Sequence, residues 1–234
     1  MTINLHILNS SGRFSEQNVD AMTAILTETA RECSRLLQLR DLDIVVMNVP
    51  WAVIPRLGVN GFAYDQHQIV LQLDISHDHL ATHLDSALRA VLAHELHHCA
   101  RAAALGNSHS STYGGSLVAE GLACCFEEEI GEPTPFYAVE CAGDRLRKFS
   151  EKAKGYAKAE RQSLPGHWED WMFGRGSDDP EFPYQCGYST GYALIKAWLK
   201  INHLRPSEAA GIDENLVLDP WLDGTINIAP QIAG

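Results

Sequence analysis

The chain has 234 residues, 45% of them hydrophobic, and a formal net charge of -12. That length and apolar content fit one sizeable domain with a buried core and exclude global disorder. The acidic balance excludes a nucleic-acid partner held by phosphate contacts, which needs a basic patch.

The N-terminal stretch MTINLHILNSSGRF carries neither a basic leader nor an apolar core with a small-residue cleavage site, and no run of about 18 apolar residues follows. A cytoplasmic protein without a membrane segment is expected. Ile3 to Leu8 alternates as a strand does, and residues 15–39 bring Val19, Met22, Ile25 and Leu26 to helical spacing. Asp43 to Val49 and His67 to Asp74 are rich in β-branched residues and read as neighbouring strands of one small sheet. Pro50, Pro55, Gly58 and Gly61 punctuate the loop between them. From Leu84 the chain turns to Ala and Leu, the best helix formers, and the pattern stops at Gly106. A second helix is expected from Ser116 as N-cap to Gly131, and a third from Thr134 as cap, with Pro135 in its first turn, towards Arg161. Tyr188 to Ile201 reads as one more helix after a loop rich in Gly, Asp and Pro, and the residues past Pro206 carry no clear pattern.

The helix that ends at Gly106 contains AHELHH, with His94, Glu95 and His98 in the order His-Glu-x-x-His. With 11 histidines in the chain, the pattern arises by chance in roughly 3 to 4% of chains of this composition. Residues four apart project from one helix face, so the backbone alone presets His94 and His98 as two ligands of a metal ion. Glu95, about 100° further round, suits a general base acting on a water at the metal. The surrounding helix is apolar, and burying two imidazoles and a carboxylate without partners would cost several kcal/mol, which a metal offsets. His97 is expected to point off the metal axis, in a supporting position or on the solvated surface. A third ligand is sought in the second helix: Glu120, beside the small Gly121 and Ala123, which would admit close approach to the motif helix. Glu127 competes, but its EEEI context reads as a solvated helix end. Zinc is preferred, although two imidazoles and a carboxylate also accept manganese, cobalt or iron.

AHELHH, then AEGLA, and later YQCGYSTGYALIKAWL together resemble the family of predicted zinc-dependent proteases known as domain of unknown function 2268, itself similar to the gluzincin metallopeptidases. The resemblance spans roughly Phe62 to Trp198. It implies one zinc ion on His94, His98 and Glu120, with Glu95 as the catalytic glutamate. It also implies that the strand IVLQLD lies at the sheet edge above a cleft, where an extended peptide could pair with it.

A zinc site with an open fourth position lowers the pKa of its water towards 7 and polarises a scissile carbonyl, and Glu95 moves the proton to the leaving amine. The oxyanion needs a donor, for which Tyr188 and Tyr192, one turn apart on a helix, are candidates, with His167 and His203 behind them. The two tyrosines equally suit core packing. Six cysteines (Cys33, Cys99, Cys124, Cys125, Cys141 and Cys186) form no Cys-x-x-Cys pair and read as free thiols, with Cys124 and Cys125 as core filler.

The expected architecture is α+β and zincin-like: a small N-terminal mixed sheet packed on the motif helix, then a mostly helical part that closes the cleft. A single domain is expected over 1–234, sheet-rich at 1–83, helical and metal-bearing at 84–205, with a tail at 206–234. The leading function is a zinc metallopeptidase acting on a peptide or protein substrate. The alternatives are a metal-dependent hydrolase of a small amide and a non-catalytic metal-stabilised module that binds a protein.

Overall fold

In the computed structural model, which describes residues 2–106, 110–159 and 167–228, the alternating N-terminus forms β1 (Ile3–Leu8). α1 (Glu16–Leu37) is capped by Ser15, whose hydroxyl oxygen accepts from the Asn18 N–H while the Asn18 side chain accepts from the Ser15 N–H. β2 (Leu42–Asn48), β3 (Val59–Ala63), β4 (Gln68–Leu73) and α2 (Asp78–Leu105) follow. After them come α3 (Tyr113–Glu129), α4 (Phe136–Val139), α5 (Gly143–Ala159), α6 (Trp168–Met172), α7 (Cys186–Asn202) and α8 (Asn215–Leu222). The fold is α+β, and no helix among the described residues is long and apolar enough to cross a membrane.

The described residues fall into two compact units, one running from the N-terminus through α2 with residues 130–132, the other holding α3 and the residues after 132. In the first, the sheet order is β1-β2-β4-β3, with β2 parallel to both neighbours and β3 antiparallel on the outer side of β4. Leu42, Ile44 and Val46 of β2 alternate into the core with Ile69, Leu71 and Leu73 of β4. Met22, Leu26, Ala30 and Cys33 of α1 and Leu80, Leu88 and Leu92 of α2 are fully buried. Each large side chain so buried contributes about 1.5–3 kcal/mol, before the cost of ordering the chain.

The sheet corrects one expectation directly. The strand IVLQLD is interior, because β3 returns along its outer side and takes the edge. The turn between them is held by Asp65, whose carboxylate accepts from the backbone N–H groups of His67 (2.6 Å) and Gln68 (3.0 Å). Gly61 therefore does not punctuate a loop, since it lies inside β3, while Gly58, at φ 72°, sits in the bend just before that strand.

α2 begins at Asp78, earlier than Leu84, with His77 as its cap and a break at His83 (φ -129°); it ends at Gly106, whose φ of 85° suits glycine. The segment from Asp78 to His83 hides its helical character because two histidines, His79 and His83, stand where an apolar stripe would be sought.

In the second unit α3 begins at Tyr113, so Ser116 is inside the helix, its hydroxyl donating to the Thr112 carbonyl at 3.0 Å. Thr112 holds the first turn instead: its hydroxyl oxygen accepts from the Gly115 N–H at 3.0 Å, and the hydroxyl donates to Glu214 at 2.9 Å. The helix expected from Thr134 is two helices, α4 and α5, separated around Gly143 with φ 60°. Thr134 gives its hydroxyl to Glu128 rather than to a helix start, and the expected end at Arg161 lies outside the described residues. α6 and α8, unpatterned in sequence, add further helix, and α8 carries Pro220 inside it. α3 packs on α7, where a Cβ on Gly121 would strike the Gly191 backbone and one on Gly191 would strike the Leu117 carbonyl. Gly121 is thus small where α3 meets α7.

Candidate metal centre

His94, Glu95 and His98 sit in the second half of α2, whose stripe Leu88, Leu92 and Leu96 is fully buried against the sheet unit. That burial carries the motif inward: His94 and Glu95 are each 7% exposed and His98 2%. The His94 and His98 rings stand one turn apart with centroids 4.9 Å from each other and planes at 71°, so the two imidazoles share one face without stacking. His97 is fully buried, which removes the solvated-surface reading for it. Cys99, one turn after Glu95, is buried too, and burial together with the nearby Glu95 charge holds its thiol far above the ordinary value. Such a thiol stays protonated and is no nucleophile.

β3 runs beside α2, and Gly61 faces Glu95. An ideal Cβ on Gly61 would lie 2.5 Å from Glu95 Cγ and 2.8 Å from its Oε1. The side chain of Glu95 fills the space that any other residue at 61 would occupy.

α3, in the other unit, presents Glu120, Cys124 and Glu127 at positions i, i+4 and i+7, a single stripe of the helix, and all three are buried. Glu127 is 1% exposed, so it is no solvated helix end. Its carboxylate accepts from the Tyr137 hydroxyl at 2.8 Å. Burial and that neighbouring carboxylate push the Tyr137 hydroxyl well above the usual tyrosine value, so it remains a neutral donor. The Tyr137 carbonyl accepts from Ser189 at 3.1 Å, and the Ser189 hydroxyl oxygen accepts from the Cys141 N–H at 3.1 Å, tying α4 to α7.

Of the two tyrosines, Tyr188 packs its ring against Tyr137 (centroids 5.3 Å apart) and Phe173 (5.6 Å). Tyr192 is 4% exposed and donates to Glu128 at 2.6 Å, while Lys196 reaches the other oxygen of that carboxylate at 2.7 Å. Burial and the bond to Glu128 push the Tyr192 hydroxyl up to about 12. Burial alone would raise Glu128, but the bonds from Lys196, Thr134 and Tyr192 outweigh it and hold the carboxyl below its ordinary range. His167 and His203 are exposed in left-handed backbone, His203 closing α7. All six cysteines are free and buried, consistent with the core-filler reading of Cys124 and Cys125.

The sequence pattern missed three of these groups. Gly61 reads as loop punctuation in the sequence, and Tyr137 belongs to no motif. Glu127 has acidic neighbours that suggest a solvated end, although its seven-residue spacing from Glu120 places both on one helix face.

A family model described as predicted Zn-dependent protease, domain of unknown function 2268, matches residues 22–219. No curated protein and no solved structure matches the chain.

Proposed function

The chain belongs to that family of predicted Zn-dependent proteases, and on this premise we propose that it is a zinc metallopeptidase with His94, His98 and Glu120 as ligands and Glu95 as general base. The observation that carries the reading is the pair of buried imidazoles one turn apart on α2, with a carboxylate beside the first. The donor chemistry fits: His94, His98 and Glu120 are all buried polar groups, and two imidazoles with a carboxylate are a donor set that zinc accepts.

A zinc ion bound there supplies Lewis-acid chemistry, polarising a carbonyl and making water acidic near neutral pH. Everything else falls to the chain's own groups. Glu95, on the turn that carries both imidazoles, takes a proton from the attacking water at its carboxylate and returns it to the leaving amine nitrogen. Its 7% exposure keeps bulk water from competing for that proton. Tyr188 is the proposed donor to the oxyanion that develops on the substrate. Tyr192 is the second candidate, and its hydroxyl would first have to leave Glu128. An acidic chain favours basic or neutral peptides over acidic ones by long-range field.

The test is Glu95→Gln, which keeps size and hydrogen bonding but removes the base. Peptide hydrolysis should fall by about 10² to 10⁴-fold while the zinc content stays that of the wild type. Undiminished hydrolysis with zinc retained would refute the assignment.

A further inference from the structure

Gly61 stands in the middle of β3, where glycine is a poor choice on backbone grounds, because its conformational freedom weakens a strand. Its φ lies outside the left-handed region that would demand glycine. Its neighbours on the same face of the strand, Val59 and Ala63, both carry side chains and are fully buried. What separates Gly61 from them is what it faces. The three atoms nearest an ideal Cβ there are Glu95 Cγ (2.5 Å), Oε1 (2.8 Å) and Cδ (2.9 Å), all from one side chain and none from backbone. The contrast with Gly121 is instructive, because there a Cβ would meet the Gly191 backbone, which has no easy way to move.

We infer that Gly61 is a positioning residue for Glu95: the missing side chain at the centre of the edge strand lets the Glu95 carboxylate lie against β3 and fixes where it points. The inference rests on the proposed role of Glu95 as general base. A methyl group at 61 meets only the Glu95 side chain, from Cγ outward, and no backbone, so it is accommodated by swinging that side chain aside, and the carboxylate moves with it. Misplacing a reacting group by about 1 Å costs on the order of 10²-fold in rate. Gly61→Ala is therefore an alanine substitution with a small effect on folding and a large one on turnover.

The experiment compares wild type, Gly61→Ala, Glu95→Asp, Glu95→Ala and the two double variants that combine Gly61→Ala with each Glu95 change. It reads zinc content, thermal midpoint, kcat and KM on a peptide library, and the carbon-13 resonance of the Glu95 carboxyl in zinc-free protein. In Gly61→Ala the zinc content should match wild type, kcat should fall about 10²-fold with KM within about threefold, and the Glu95 resonance should shift. With the shorter Glu95→Asp the two losses should be strongly non-additive. Any loss of thermal midpoint caused by Gly61→Ala should vanish in the Glu95→Ala background. Should Gly61→Ala alone fail to fold, the double variant with Glu95→Ala should fold. An unchanged resonance, a kcat within about twofold of wild type, or a folding defect that persists without the Glu95 side chain would each overturn the inference. If instead Glu95→Gln proves as active as wild type, the base assignment falls, while the resonance shift and thermal coupling still report the Gly61–Glu95 contact.

Discussion

α2 carries the same histidine spacing twice. His79 and His83 stand four apart near its start, and His94 and His98 four apart in its second half. The first pair stacks, with centroids 4.4 Å apart and planes at 15°; the second is set edge to face at 4.9 Å and 71°. His83 is exposed, and the helix breaks there, its Nδ1 lying 3.1 Å from the His79 carbonyl. His94 and His98 lie in regular helix and are buried. Water satisfies an exposed imidazole, whereas a buried one must find a partner inside the protein or on an ion. Spacing alone does not separate the two pairs; burial within unbroken helix does, and on it rests the proposal that the second pair binds a metal.

The comparison breaks most decisively at the ligands. Loss of a group that merely orients a metal ligand costs about 10- to 100-fold in affinity, so loss of a ligand costs more. His98→Ala should weaken zinc binding by on the order of 10²-fold or more, and His83→Ala should leave it unchanged, both measured by competition with a chromophoric chelator. Equal effects would erase the distinction between the two pairs.

A smaller effect is expected at His77, which stands just ahead of the first pair and has a defined structural task. Its Nδ1 accepts from the His79 N–H at 3.2 Å, capping α2, and its Nε2 faces the Pro55 carbonyl at 2.9 Å, which fixes the proton on Nε2. His77→Ala should cost about 1 kcal/mol, the usual worth of a cap, read from denaturant unfolding. No change in unfolding midpoint would show the cap to be idle.

The smallest effect is the pH dependence of His79. Burial, with His83 and His77 nearby, holds its pKa below the ordinary 6.5. The folded state therefore prefers the neutral ring, and this contribution is complete above the unfolded value near 6.5 and fades as pH falls through the lower folded value. Unfolding of wild type and His79→Gln compared across that window should show the variant losing less stability on acidification. A steeper acid loss in the variant would reverse the sign.

The motif itself was legible because a four-residue spacing on an Ala- and Leu-rich helix needs no tertiary information. Gly106 and Gly131, at φ 85° and 90°, likewise mark chain reversals that glycine chemistry announces. β3 was not legible: VNGFA is too short for period-two alternation to stand out, and its glycine reads as a break until Glu95 is seen opposite. The start of α3 depends on Glu214, more than a hundred residues away in sequence, holding Thr112. α8 was hidden by Pro220, which reads as a helix breaker. Glu127 sits in an acidic run that looks solvated, and only the packing of Tyr137 shows it to be internal.

In the proposed function, His94, His98 and Glu120 hold one zinc ion. Native mass spectrometry of untagged protein purified without chelator, run beside Glu120→Ala, tests it most directly. The claim predicts about one zinc per wild-type chain and its loss from the folded variant. Folded wild type without metal, or a variant that keeps its zinc, would contradict it.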